Sequence, residues 1–204
     1  GLLFFYFSSV DQGSHMLYHF ADPEHPLHEP DELLRNGIRM LYEEMDEALG
    51  RVLEVVDEDT TLIVMSDHGF APFYWGVNLN TWLLERGYVT LKDPSLQGRS
   101  PLFVNVDWSG TRAYAFGLSG LYVNLRGRER DGIVEPGAEY ERLLDDLERD
   151  LLAMLDDRTG ANPVSLVYRT SERFVGPHLD RGPDIIVGYS HGYRSSWENP
   201  LGEF

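Results

Sequence analysis

The run Thr61-Leu-Ile-Val-Met65, continued by Ser66-Asp67-His68-Gly69-Phe70, constrains the fold of this chain more than any other stretch. Apolar residues at consecutive positions predict a strand covered on both faces, as in parallel α/β sheets. Sheets of that kind bind ligands at the carboxyl ends of their strands. An ionised Asp beside an imidazole at such a point is costly to desolvate unless a positive partner is present, and a divalent cation meets that need. Asp67 and His68 are therefore candidate metal ligands, and an Asx-turn with a packed His is the simpler structural alternative.

Composition narrows the class. The 204 residues suffice for one substantial core or two small ones, and 42% hydrophobic with 12% aromatic residues excludes general disorder. A formal net charge of −17, with Lys92 as the single lysine, argues against a nucleic-acid duplex as partner. No apolar run approaches the roughly 18 residues of a membrane span, so a soluble segment is expected. The absence of cysteine removes disulfides and Cys-type zinc sites. The first residues, Gly1-Leu-Leu-Phe-Phe-Tyr-Phe-Ser-Ser-Val10, start in mid-run without a basic leader. They read as the interior of a longer protein. Compartment stays open, with the cytoplasm slightly favoured.

Periodicity predicts a strand at about 2 to 9, then a loop, then a long helix from Asp31, a candidate N-cap, to about Val56. Leu34, Ile38, Leu41, Met45, Leu49, Val52 and Val56 recur at three and four residues along it. With the strand at 61 to 66 this makes a right-handed, parallel β-α-β unit. A short helix over Asn78 to Arg86, closed by Gly87, follows. Arg112 to Phe116 and Leu121 to Leu125 predict a hairpin, Pro136 to Leu155 a second amphipathic helix, and Val164 to Tyr168 and Asp184 to Val187 further strands. Segment 93 to 111, rich in Pro and Gly, is the expected flexible or inserted region.

Asp11 and His15 form an Asp-x-x-x-His pair just after the first predicted strand. If the chain there is helical, residues four apart share a face and reach one ion; a capping Asp and a packed His would give the same letters. Two such pairs, each at a predicted strand end, would converge on one crevice. His19, His25, His28 and His178 lie in Pro-flanked loops and read as surface residues. Arg126, Arg128 and Arg130 offer forks for a phosphate or carboxylate, or else a structural cluster. Trp75, Trp82, Trp108 and Trp197 line a substrate mouth or anchor loops.

Taken together, Phe7-Ser-Ser-Val-Asp-Gln-Gly-Ser-His15, Leu62-Ile-Val-Met-Ser-Asp-His-Gly-Phe70, Asn78-Leu-Asn-Thr-Trp82 and Gly120-Leu-Tyr-Val-Asn-Leu-Arg-Gly-Arg-Glu129 resemble the alkaline phosphatase superfamily. The branch they look most like is that of type I phosphodiesterase and nucleotide pyrophosphatase-like proteins. The resemblance implies an incomplete three-layer α/β/α sandwich, with residues 1–204 as the C-terminal-side portion of one catalytic domain and 93–130 as a possible inserted or cap-like segment. It implies a hydrolase of phosphate mono- or diesters acting on a small-molecule phosphoester. Two divalent ions are implied, zinc first and Mn or Mg as alternatives, one bound through Asp11 and His15 and the other through Asp67 and His68. A covalent phospho-enzyme is implied as well, formed on a Thr or Ser.

In the family that nucleophile precedes the Asp-x-x-x-His element, so it is expected upstream of residue 1, and residues 1–204 alone are expected to be inactive. Ser8 and Ser9 sit on a different predicted strand from the family's nucleophile. The first metal's third ligand is either His191, in Ser190-His-Gly-Tyr193, or a His beyond residue 204. A sulfatase or phosphomutase of the same superfamily, and a non-catalytic metal-binding or interaction module, are the alternative functions.

Overall fold

The computed structural model describes residues 1–100, 103–197 and 199. The chain forms two compact units, Gly1–Tyr74 and Trp75–Phe204.

The first unit is helical. Its helices are α1 (Ser9–Ala21), α2 (Glu32–Arg35) and α3 (Gly37–Leu53). Asp11 lies in the first turn of α1, where a carboxylate complements the positive end of the helix. Asp31 caps α2 as expected, its Oδ1 accepting from the Leu33 and Leu34 N–H groups at 2.9 Å each. The single helix expected from Asp31 onward is divided at Asn36. There the Asn36 N–H donates to Leu33 O at 3.2 Å and its Nδ2 donates to Glu32 O at 2.9 Å. These bonds close α2 before α3 begins.

Two glycines set the packing of α1 on α3. A Cβ on Gly13 would overlap Leu41 Cδ1, and one on Gly37 would stand 2.6 Å from Leu17 Cδ1. Each small residue admits a leucine of the facing helix.

Two expected strands are not formed. Residues 1–8 precede α1 without regular secondary structure, and the run at 61–66 has no ladder among the described residues. The reason is physical: a strand is stabilised by its neighbour's N–H and C=O groups, and among the described residues none pairs with either run. Their apolar side chains stay exposed, Leu2 at 97% and Met65 at 78%. The parallel β-α-β unit expected from these runs is therefore replaced by helices joined to segments without a ladder.

The second unit holds the sheet and the core. A short strand, β1 (Phe73–Val77), whose first two residues end the first unit, leads into α4 (Leu79–Glu85). Asn78 caps α4 by accepting from the Asn80 and Thr81 N–H groups, and Gly87, at φ +75°, closes it. The main sheet contains β2 (Ala113–Phe116), β3 (Gly120–Val123), β4 (Val164–Arg169) and β5 (Ile185–Tyr189) in the order β2-β3-β5-β4. All three of its ladders are antiparallel, while parallel pairing occurs in the isolated bridges Leu125↔Val134 and Arg126↔Glu129. The β2–β3 hairpin matches its expected position and turns at Gly117, at φ +75°. A two-stranded sheet pairs β1 with β6 (Gly192–Ser195).

Helix α5 (Ala138–Leu152) lies against β4, with Leu143, Leu144, Leu147 and Leu151 buried at the expected three- and four-residue spacing. A short helix α6 (Thr170–Arg173) follows β4. Leu79, Leu83, Leu121, Val123, Ile185 and Val187 complete the core. Buried Asn80 ties α4 to β2 by donating to Ala115 O at 2.9 Å and accepting its N–H at 2.8 Å. Segment 93–111, expected to be loose, instead contributes buried Asn105, Val106 and Thr111. Residues 101 and 102 lie outside the described residues.

Candidate metal centre

In the first unit, α1 places Asp11 and His15 one turn apart on one face, with His15 Nε2 3.5 Å from Asp11 Oδ1. The loop after residue 66 returns to the same point. His68 Nε2 stands 3.9 Å from Asp11 Oδ1 and 3.7 Å from Asp67 Oδ2. Asp11 Oδ1 is buried and has no hydrogen-bond donor among the described residues. An acceptor desolvated without a donor costs free energy, which a cation between it and the two imidazoles would offset.

The donor chemistry fits a divalent ion of the zinc type. Zinc binds His N and carboxylate O at about 2.0–2.2 Å, so two ligands at a tetrahedral angle lie about 3.3 Å apart. The Asp11–His15 separation of 3.5 Å is close to that, and the Asp11–His68 separation of 3.9 Å is wider. Asp67 is the outermost of the four, its side chain 83% exposed. Among the described residues no group of three or more His, Asp or Glu side chains is gathered closely enough to hold a metal ion.

The local chain orients His68. Its Nδ1–H donates to Gly69 O at 2.7 Å, and Ser66 Oγ donates to His68 O at 2.5 Å, leaving Nε2 aimed at Asp11. A ring nitrogen donating to a carbonyl fixes the tautomer whose other nitrogen carries the lone pair. The Gly69 carbonyl first, then the Asp67 and Asp11 carboxylates, hold the imidazole's pKa above its ordinary value.

Other sequence candidates have structural partners. Arg128 donates to Asp184 at 2.8 and 2.7 Å, and Arg126 pairs with Glu135 at 2.8 Å. Asp184 also accepts from the Val123 N–H and the Tyr140 hydroxyl. Its role as the buried anchor of the second unit has no signature in the sequence. Trp75 lies under the Arg158 guanidinium at 4.4 Å, and Trp82 is buried beside Tyr88. His25 Nδ1 accepts from the Leu27 N–H, and its Nε2–H donates to Phe73 O at 3.2 Å. His28 donates to His19 O. His178 precedes a 3-10 turn, and His191 is an exposed residue between β5 and β6.

Sequence reasoning missed the aromatic side of the site. Phe70 packs edge-on against His15, with centroids 4.9 Å apart, and stacks on Tyr18 at 5.6 Å. The available signal was Tyr18, three residues beyond His15 on the same helical face.

The mixed α/β fold is consistent with the alkaline phosphatase superfamily, and the family match that places the chain there is to a family of hydrolases. The chain belongs to the family of type I phosphodiesterase / nucleotide pyrophosphatase, whose family model matches residues 1–199. Comparison with curated proteins and with solved structures gives no match. Among the described residues no helix is long and apolar enough to cross a membrane.

Proposed function

We propose that this chain carries the ion-binding part of a metal-dependent hydrolase of phosphate mono- or diesters, with Asp11, His15, Asp67 and His68 as ligands of two divalent ions, zinc first. The observation that carries this reading is Asp11 Oδ1, buried without a donor and flanked by two imidazole nitrogens. Ions bound there would neutralise charge on the phosphoryl group and lower the pKa of an attacking oxygen. The residues themselves keep a lone pair available at His68 Nε2, hold Asp11 in position on a helix turn, and present Asp67 to solvent on the outer side.

The attacking hydroxyl is assigned to no residue of this chain. Ser8 precedes α1 and Ser9 is its first residue, and neither is read as the nucleophile. In this reading residues 1–204 are a C-terminal-side portion of one catalytic domain, turnover passes through a phospho-enzyme formed on a residue outside them, and 93–130 is an inserted or cap-like segment. That segment's Phe103, Trp108 and Tyr114 pack edge to face beside an open cleft of about 480 Å³.

The test is zinc binding together with hydrolysis of bis-p-nitrophenyl phosphate by the 204-residue chain. Zinc bound without turnover is the expected result, and rapid turnover would overturn the missing-nucleophile reading. A second reading, a non-catalytic module, is favoured by the 83% exposure of Asp67, and absence of bound zinc would select it.

A further inference from the structure

The loop bearing Asp67 and His68 is laid along α1 in register. His68 lies beside Asp11, Phe70 beside His15 and Tyr18, and Tyr74 beside Asp22. Positions 11, 15, 18 and 22 are spaced by four, three and four residues, which is one stripe of a helix. Asp22 is the C-cap of α1, and its backbone N–H donates to Tyr18 O. The same chain segment thus meets two polar residues, one aromatic residue and one capping carboxylate of a single helical face.

We propose that Phe70 and Tyr74 are positioning residues of the metal centre, clamping the Asp67–His68 loop onto α1 at two points. This rests on the reading of Asp11, His15, Asp67 and His68 as ion ligands. Phe70 is the nearer clamp: two residues beyond His68, its ring abuts His15 at an interplanar angle of 78° and stacks on Tyr18 at 19°. It fixes the orientation of one ligand and the path of the other. Tyr74 is the farther clamp. Its hydroxyl donates to Asp22 Oδ2 at 2.8 Å, and the neighbouring Phe73 carbonyl accepts from His25 at 3.2 Å.

The need for such clamps follows from the loop's own weakness. From residue 61 to 69 it has no strand ladder among the described residues, and Ile63, Val64 and Met65 are exposed. Among the described residues no ladder restrains the residue-61 side of His68, and the contacts of Phe70 and Tyr74 lie on its other side. Contacts that orient ligands typically change metal affinity by about 10–100-fold when removed.

The experiment compares the 204-residue chain with Phe70→Leu, Phe70→Tyr and Tyr74→Phe, measuring zinc affinity by calorimetry and amide hydrogen exchange of residues 66–72 in metal-free protein. The expected result is zinc binding weakened about tenfold in Phe70→Leu and Tyr74→Phe, near-parental binding in Phe70→Tyr, and faster exchange confined to 66–72 in the two weakened variants. Unchanged exchange in both, or exchange that rises equally across all of α1 and α3, would overturn the clamp. If the parent chain binds no zinc while exchange behaves as expected, the clamp stands and the metal reading falls.

Discussion

His68 Nε2 lies 3.9 Å from Asp11 Oδ1, although the two come from opposite ends of the first unit's sequence. Asp11 Oδ1 has no hydrogen-bond donor among the described residues, and an ion bound there would supply the partner it lacks. Asp11→Asn should leave metal-free stability within about 1 kcal/mol of the parent, and should abolish the rise in melting temperature that zinc produces. Thermal denaturation with and without zinc measures both. A zinc-dependent rise that survives in the variant would remove Asp11 from the ligand set.

Arg128→Ala should be among the most damaging substitutions in the second unit. Asp184, whose side chain is 3% exposed, would keep only the Val123 N–H and the Tyr140 hydroxyl. Leaving a buried carboxylate without its cation costs about 3–5 kcal/mol, and urea denaturation reads this directly. Tyr140→Phe removes one donor and should cost about 1–2 kcal/mol.

Asp156 provides the pH dependence. The Arg158 guanidinium, helped by the Arg158 N–H and the Tyr193 hydroxyl, holds its carboxyl at about 2 despite partial desolvation. The folded-state value lies below the unfolded one of about 3.9, so this carboxylate stabilises the fold above that pH and its contribution disappears as pH falls through about 2. The stability gap between the parent and Asp156→Asn should therefore be full at pH 6 and should close between about pH 4 and pH 2. A gap that stays constant over that range would contradict the assignment.

The unpaired runs Leu2–Phe7 and Leu62–Met65 expose contiguous apolar side chains, Leu3 at 90% and Ile63 at 74%. Such segments template self-association. Replacing Phe4 and Val64 by Lys should lower concentration-dependent light scattering while leaving circular dichroism unchanged. Scattering equal to the parent's would show that these runs are not the adhesive surface.

Elements governed by local periodicity were legible in the sequence. The leucine stripe of α5, the short helix α4 closed by Gly87, and the hairpin around Gly117 lie where their spacing put them. Helix α1 was not legible as a helix: Gly13 and two serines weaken its pattern. Its packing relies on Leu41 entering the space that Gly13 leaves open, a contact invisible to any window of neighbouring residues. The candidate ligands were legible as residue types, because Asp and His in closely spaced pairs carry metal chemistry in their side chains.

The sequence by itself determined which side chains are available to an ion and which helical faces are apolar, since both follow from residue identity and local spacing. Only the tertiary structure decided whether the two apolar runs become strands, because a strand exists through hydrogen bonds to a neighbour that its own residues cannot supply. It also decided that the stripe at 11, 15, 18 and 22 of α1 receives the loop at 68, 70 and 74, since that register is set by contacts between segments far apart in the chain.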